Sequence, residues 1–311
     1  MTMKISKGVW PTMVTPFTDD NKIDYAAVER TIEWYIARGV DGLFAVCQSS
    51  EMFYLSLEER VQLAAFVKRK AAQRVPVIAS GHIADSHAEQ VRELNALAET
   101  GIDALVLLTN RSAAAEESDE VWKANLEKLL AVVPESMPLG LYECPYPYKR
   151  IISPAMLQWC AETGRFLFLK DTSCDVDNIK AKMAAVSGTG LNIYNANSAT
   201  LLATLKLGIS GYSGVMANFH PELYVWLSRN AAAKPEQAER LSDVLSMASL
   251  IEKQLYPVNA KYYLMLEGIF TNYICRSKNH QQFTATHRME IEQLHRLTNW
   301  SSQQLNLLRQ I

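Results

Sequence analysis

No stretch of this chain is apolar for long enough to span a bilayer, and the opening "MTMKISKGVW" lacks the apolar segment of a secretory signal. A cytoplasmic protein with no membrane partner is therefore expected. Basic charge is not in excess. The 31 Lys and Arg against 33 Asp and Glu leave a formal net charge of −2, whereas a nucleic-acid surface needs a basic face. Cysteine is sparse: Cys47, Cys144, Cys160, Cys174 and Cys275 are scattered, odd in number and never spaced C-x-x-C. That speaks against a zinc site and a disulfide framework, and leaves reduced thiols packed as small apolar groups. No low-complexity tract or charge run divides the chain. No G-x-G-x-x-G follows the first apolar run, so the main phosphate-binding sign of an open doubly wound sheet is missing.

What is present is a repeated alternation. Short apolar runs ("GVWPTMV", "DGLFAV", "VPVIASG", "DALVLLT", "PLGLYE", "FLFLKD", "NIYNAN", "GYSGV") are each followed by an amphipathic segment. The runs are continuously apolar rather than alternating, as in parallel strands covered on both faces. Ser56 with Glu59, and Ser86 with Glu89, have capping-box spacing, and Ser153-Pro154 reads as a helix N-cap followed by N1. Eight strand–helix pairs within the first ~230 residues suit an α/β (β/α)8 TIM barrel. From residue 234 the pattern is helical, with "MEIEQLHRLTNW" and "SSQQLNLLRQI" as its last segments. The expected organisation is a catalytic barrel over residues 1–233 and a helical extension over 234–311 packed on it.

Barrel active sites lie at the C-terminal ends of the strands. The polar residues expected there include Gln48 and Ser49 after the second strand and Tyr142 at the end of the fifth. Lys170 and Asp171 end the sixth, Asn195 and Asn197 the seventh, and Tyr212 and Ser213 the eighth. Lys170 ends the apolar run "FLFL". A lysine there loses solvation, which favours its neutral, nucleophilic form. A neutral amine adds to a carbonyl, and the resulting imine is an electron sink for making or breaking a carbon–carbon bond. The same lysine could instead reach out to solvent or pair with Asp171, and position alone leaves both open. Tyr142 on the neighbouring strand suits a proton carrier, or a buried aromatic with one hydrogen bond.

Five motifs carry a resemblance over essentially the whole chain. "TMVTPF", "GVDGLFAVCQSSE", "YECP", "LKDTSCD" and "GISGYSGVMAN" occur in the order, and on the strands, of the dihydrodipicolinate synthase and N-acetylneuraminate lyase family. The resemblance implies a Schiff-base aldolase that takes pyruvate, or a 2-oxo acid yielding it, together with an aldehyde. It implies no cofactor and no metal, because the protonated imine supplies the electron sink. It also implies a homo-oligomer, a tetramer or dimer. Lys170 falls on the imine-forming lysine and Tyr142 on the proton-carrying tyrosine. Gln48 and Ser49 fall on the pair that grips the carboxylate, and Ser213 on a position whose backbone lies beside substrate.

The departures bear on substrate. Gln48 replaces a hydroxyl residue, and its amide donates N–H but cannot relay a proton. Ser50 replaces a glycine. Pro147 stands where the synthase branch has a carboxylate-binding arginine, with Lys149 and Arg150 close by and read as surface charges. The Tyr-Tyr pair after the fourth strand is replaced by "TNRSAAAEES", where Arg111 could hold a carboxylate bidentately. "NANSAT" lacks the acidic residues of the sialic-acid branch, although Asn197 suits a smaller polyol. A 2-keto-3-deoxy sugar acid is the expected substrate. Lysine-biosynthesis condensation, a related dehydratase or deaminase, and a non-catalytic 2-oxo-acid binder are the alternatives.

Overall fold

The computed structural model describes residues 5–307; the final four residues of the expected C-terminal helix lie outside that range. Eight strands alternate with helices along the chain. They are β1 (Gly8–Val9), β2 (Leu43–Val46), β3 (Val77–Ala79), β4 (Ala104–Leu108), β5 (Leu139–Tyr142), β6 (Phe166–Asp171), β7 (Asn192–Asn195) and β8 (Gly211–Tyr212). Each is followed by a helix: α1 (Tyr25–Ala37), α2 (Leu57–Ala71), α3 (His87–Ala98), α4 (Asp119–Leu130), α5 (Pro154–Glu162), α6 (Val176–Ala185), α7 (Ser198–Leu207) and α8 (Pro221–Asn230). Three more follow: α9 (Pro235–Ala248), α10 (Val258–Leu266) and α11 (Ala285–Gln304). The two segments expected at the C-terminus merge into α11, because no Gly or Pro interrupts "TNWSSQQ".

Local chemistry sets the helix ends. Ser56 and Glu59 form the reciprocal box at the start of α2. Ser86 caps α3 through Glu89 N, but the Glu89 carboxylate turns to Arg92 instead of back to Ser86, so that box is half made. Ser153 accepts from Met156 N with Pro154 at the first helical position.

All strand pairings are parallel, in the order β1-β8-β7-β6-β5-β4-β3-β2. The sheet is curled. In a flat sheet, β2 and β6 would stand roughly 19 Å apart, from a strand spacing of about 4.8 Å. Yet the ring of Phe44 on β2 lies 6.1 Å from that of Phe168 on β6. Tyr142, Trp10 and Tyr194 join the same aromatic cluster. The two outermost strands are also linked. Asp41 N donates to Val9 O, Phe44 N to Pro11 O and Met13 N to Phe44 O, and Thr12 bridges Phe44 in parallel. Gly42 permits the approach, since a Cβ there would lie 2.3 Å from the Trp10 ring. The structure is thus an eight-stranded parallel sheet wrapped by helices, consistent with a TIM barrel bearing added C-terminal helices. α9 packs on α7 and α8, and α11 on α10.

Candidate active site

Strand register brings the two reactive side chains together. Tyr142 on β5 pairs directly with Lys170 on β6, so both side chains leave the same face. The Lys170 Nζ lies 4.5 Å from the centre of the Tyr142 ring. The residue after each, Glu143 just beyond β5 and Asp171 at the end of β6, is also fully buried, and Lys182 of α6 bonds both carboxylates at 2.5 Å. Glu143 further accepts from Ile152 N and Thr172 N, and Asp171 from the Ser173 N–H and hydroxyl. Asp171 is therefore committed to Lys182 and Ser173, and the pairing of Lys170 with Asp171 that position left open is not formed. Burial and the charge of Asp171 push the Glu143 carboxyl above its usual range, while Lys182 opposes them.

Lys170 is 3% exposed and faces a cavity of about 370 Å³. Burial lowers its pKa below the usual ammonium value, with Cys47, Cys144 and Glu252 acting the other way. Tyr142 moves in the opposite sense: burial, chiefly, holds its hydroxyl well above the ordinary phenol value, so the resting phenol is protonated. Its hydroxyl donates to Gln48 Oε1 over a long 3.5 Å, and the Cys144 thiol approaches the same oxygen at 3.4 Å. The amide oxygen is thus turned to Tyr142, which leaves the amide NH2 as the donor of Gln48.

Ser49 is buried and donates to Thr12 Oγ1 at 3.1 Å. Its hydroxyl also bonds Tyr256, whose own hydroxyl receives Asn218 Nδ2 at 3.1 Å. Ser50 fits the former glycine position because the left-handed residue is its neighbour Glu51, at φ 61°. The Ser50 hydroxyl donates to Met13 O and Ala45 O.

The other expected residues divide. Asn197 lines the cavity, using Oδ1 to cap α7 at Thr200 N and keeping its NH2 for other partners. Lys149 stands exposed at the rim. Arg150 is held away by Asp119 and the carbonyls of Ala114 and Glu117. Arg111 is not brought to Lys170. It pairs with Asp85 at 2.6 Å and lines a neighbouring cavity, with Phe53 of the main cavity packed against its guanidinium. Ser213 is fully buried, donates its hydroxyl to Trp10 O and its N–H to Asn195 O, and does not line the cavity.

Glu252 and Tyr256, from the connection between α9 and α10, are among the lining residues that carry no sequence motif. A buried ion pair anchors the start of α10. Lys261 bonds Glu51 at 2.5 Å, and Glu51 also accepts from Arg276 N and Ser277 N. The only hint in "SLIEKQLYPV" is a carboxylate and a tyrosine in a short non-periodic break between helices.

A buried amine with no carboxylate bonded to it, beside a tyrosine at the strand ends of a helix-covered parallel sheet, is the arrangement of a Schiff-base aldolase, an enzyme that makes or breaks a carbon–carbon bond. The chain belongs to the dihydrodipicolinate synthetase family, whose model matches residues 5–297. It is 29% identical over 217 residues to 4-hydroxy-tetrahydrodipicolinate synthase of Clostridium perfringens, covering 70% of this chain and 72% of that one. Its fold is similar to that of dihydrodipicolinate synthase from Bacillus anthracis, with TM-score 0.85 at 20% identity over 94% of this chain and 99% of that one. It is also similar to an E. coli K12 prophage protein of the dihydrodipicolinic acid synthase family, solved in complex with pyruvate. There the TM-score is 0.84 at 21% identity, over 95% of this chain and 99% of that one. Among the described residues no helix is long and apolar enough to cross a membrane.

Proposed function

We propose that this protein is a pyruvate-dependent lyase acting on a 2-keto-3-deoxy sugar acid, with Lys170 as the imine-forming residue. The observation that carries this reading is Lys170 itself: a desolvated amine facing a cavity, with its neighbouring carboxylate Asp171 committed to Lys182. Lys170 adds to the C2 carbonyl. Gln48 and Ser49 hold the C1 carboxylate. Cleavage of the C3–C4 bond leaves the pyruvate enamine and releases an aldehyde. In the forming direction the protonated phenol of Tyr142 supplies the C4 hydroxyl proton to the aldehyde oxygen, and in cleavage the phenolate left once that proton has been released takes it back.

The polar lining favours a hydroxylated aldehyde half. Beyond the carboxylate-holding Gln48 and Ser49, Asn197 and Glu252 offer an amide and a carboxylate, and among the described residues no arginine lines the cavity. The competing reading is the condensation of pyruvate with aspartate semialdehyde. The Clostridium relative's name favours it. The diverted Arg111 and the proline at position 147 oppose it, because they leave only the rim lysines Lys149 and Lys278 for a second carboxylate. The reading also takes the curled sheet to be a closed (β/α)8 barrel over residues 1–233 with an extension over 234–311, in a cytoplasmic homo-oligomer. The exposed apolar residues Met247, Leu250 and Leu297 around one groove of α9 and α11 are candidates for a contact between copies.

Incubating the enzyme with a panel of 2-keto-3-deoxy acids is expected to release pyruvate. Pyruvate release from none of them, together with condensation of pyruvate and aspartate semialdehyde, would transfer the assignment to the synthase. Tyr142→Phe is expected to slow cleavage by about two to four orders of magnitude, the range for lost acid–base catalysis. A steady-state rate equal to the wild type removes Tyr142 from the mechanism.

A further inference from the structure

Imine formation needs two proton transfers besides the addition itself. The ammonium must lose a proton before it can attack, and the carbinolamine hydroxyl must gain one before it leaves as water. Tyr142 is poorly placed to do both alone. Its hydroxyl is directed at Gln48 Oε1, and an amide oxygen has no proton to give and none to pass on. Ser49 leads to Thr12 and Tyr256, all hydroxyls, with no carboxylate or imidazole among its bonded partners.

Two carboxylates line the cavity, Glu51 and Glu252. Glu51 is consumed by Lys261 and two backbone amides. Glu252 differs, because among the described residues it has no hydrogen-bond or ion-pair partner. It is half-buried in a 3-10 turn at Ser249–Lys253. It lines the cavity together with Lys170 of β6 and with Ala196 and Asn197, which follow β7, and its charge acts on Lys170. No ion pair joins it to the Lys170 amine, and both side chains line the same cavity, where the carbinolamine oxygen would form.

Resting on the lyase reading above, we infer that Glu252 is a catalytic residue that carries the protons of imine formation between the Lys170 amine and the carbinolamine hydroxyl. The ionised carboxylate takes one proton from the ammonium. The neutral amine then adds to the C2 carbonyl, and its remaining excess proton moves to the new oxygen. The Glu252 carboxyl returns its proton to that hydroxyl, the C–O bond breaks, water leaves, and the protonated imine and the carboxylate remain. Burial pushes the Glu252 carboxyl up to about 7, opposed only by Lys170. A carboxyl poised there can both accept and return a proton near neutral pH.

The test is the rate at which pyruvate becomes trapped on the enzyme, followed by quenching with borohydride at successive times. Glu252→Gln is expected to slow trapping about 100-fold at neutral pH, within the range for a lost acid–base group, and Glu252→Asp to restore most of it. A role through charge alone predicts the reverse. Removing the negative charge lowers the Lys170 pKa further, so more neutral amine would be available and trapping would hold or quicken. Trapping by Glu252→Gln at the wild-type rate, even with a raised KM for the aldehyde, overturns the inference while leaving the lyase reading intact. No adduct on the wild-type enzyme overturns both.

Discussion

Lys170→Ala is expected to abolish both pyruvate release and the borohydride-trapped pyruvate adduct while the protein stays folded. The loss should be complete because, among the described residues, no second lysine shares the environment. Lys149 and Lys278 stand exposed at the rim of the cavity, where water keeps the ammonium charged. Lys182 and Lys261 are buried but bonded to carboxylates. Two opposing effects set the stability of the variant. The contact of the Lys170 amine with the Tyr142 ring is lost, but so is the cost of burying an amine whose burial disfavours its charge. The net change should stay within about 2 kcal/mol, as for most single substitutions without a buried group left unpaired. Denaturant unfolding followed beside the activity assay separates the two readouts. An adduct persisting in this variant would make another lysine the nucleophile.

Lys182→Met should do the opposite, leaving the reactive residues in the sequence while costing stability. Lys182 is fully buried and is the cation bonded to both Glu143 and Asp171. Removing one member of a buried ion network leaves uncompensated charge, at a cost of about 3–5 kcal/mol. The deficit should depend on pH. The Glu143 carboxyl is already raised above its unfolded value, and loss of Lys182 raises it further. A carboxyl raised on folding supports the fold below its unfolded pKa, and that support is lost as pH rises through the folded value. The variant should therefore be weakest at alkaline pH and recover towards pH 5. Combining Lys182→Met with Glu143→Gln and Asp171→Asn should return much of the stability. An unfolding midpoint unchanged by Lys182→Met alone would show that the network contributes little. Because Glu143 follows Tyr142 and Asp171 follows Lys170, the single variant should also loosen the spacing of the two reactive side chains.

The strand ends were legible because a parallel sheet in an α/β fold announces itself. "FLFLKD" is apolar on both faces, so its terminal lysine has to stand at the sheet's edge, and "PLGLYE" sets Tyr142 beside it. Caps at Ser56 and Ser153 were readable for a similar reason, since they act within one turn of chain. What was not legible depended on long-range packing. Arg111 follows β4 as expected, yet Asp85 and Phe53 draw it into the next cavity. Ser213 follows β8, but its hydroxyl is spent on Trp10. Nothing in the local sequence around Lys182 marks it, and only the packing of α6 brings it to both Glu143 and Asp171. Glu252 and Tyr256 lie in a short break between helices, and α10 is fixed to the β2 loop by the Glu51–Lys261 pair. No local pattern predicts such a meeting. The C-terminal helices therefore do more than cover the sheet, because the connection between two of them supplies one wall of the cavity.

Imine formation between Lys170 and a 2-oxo acid can be read by peptide mapping with mass spectrometry after treatment of the wild-type protein with pyruvate and borohydride. The mass of one reduced pyruvate is expected on the peptide carrying Lys170 and on no other lysine. An unmodified Lys170 peptide under those conditions, or an adduct found elsewhere, would contradict it.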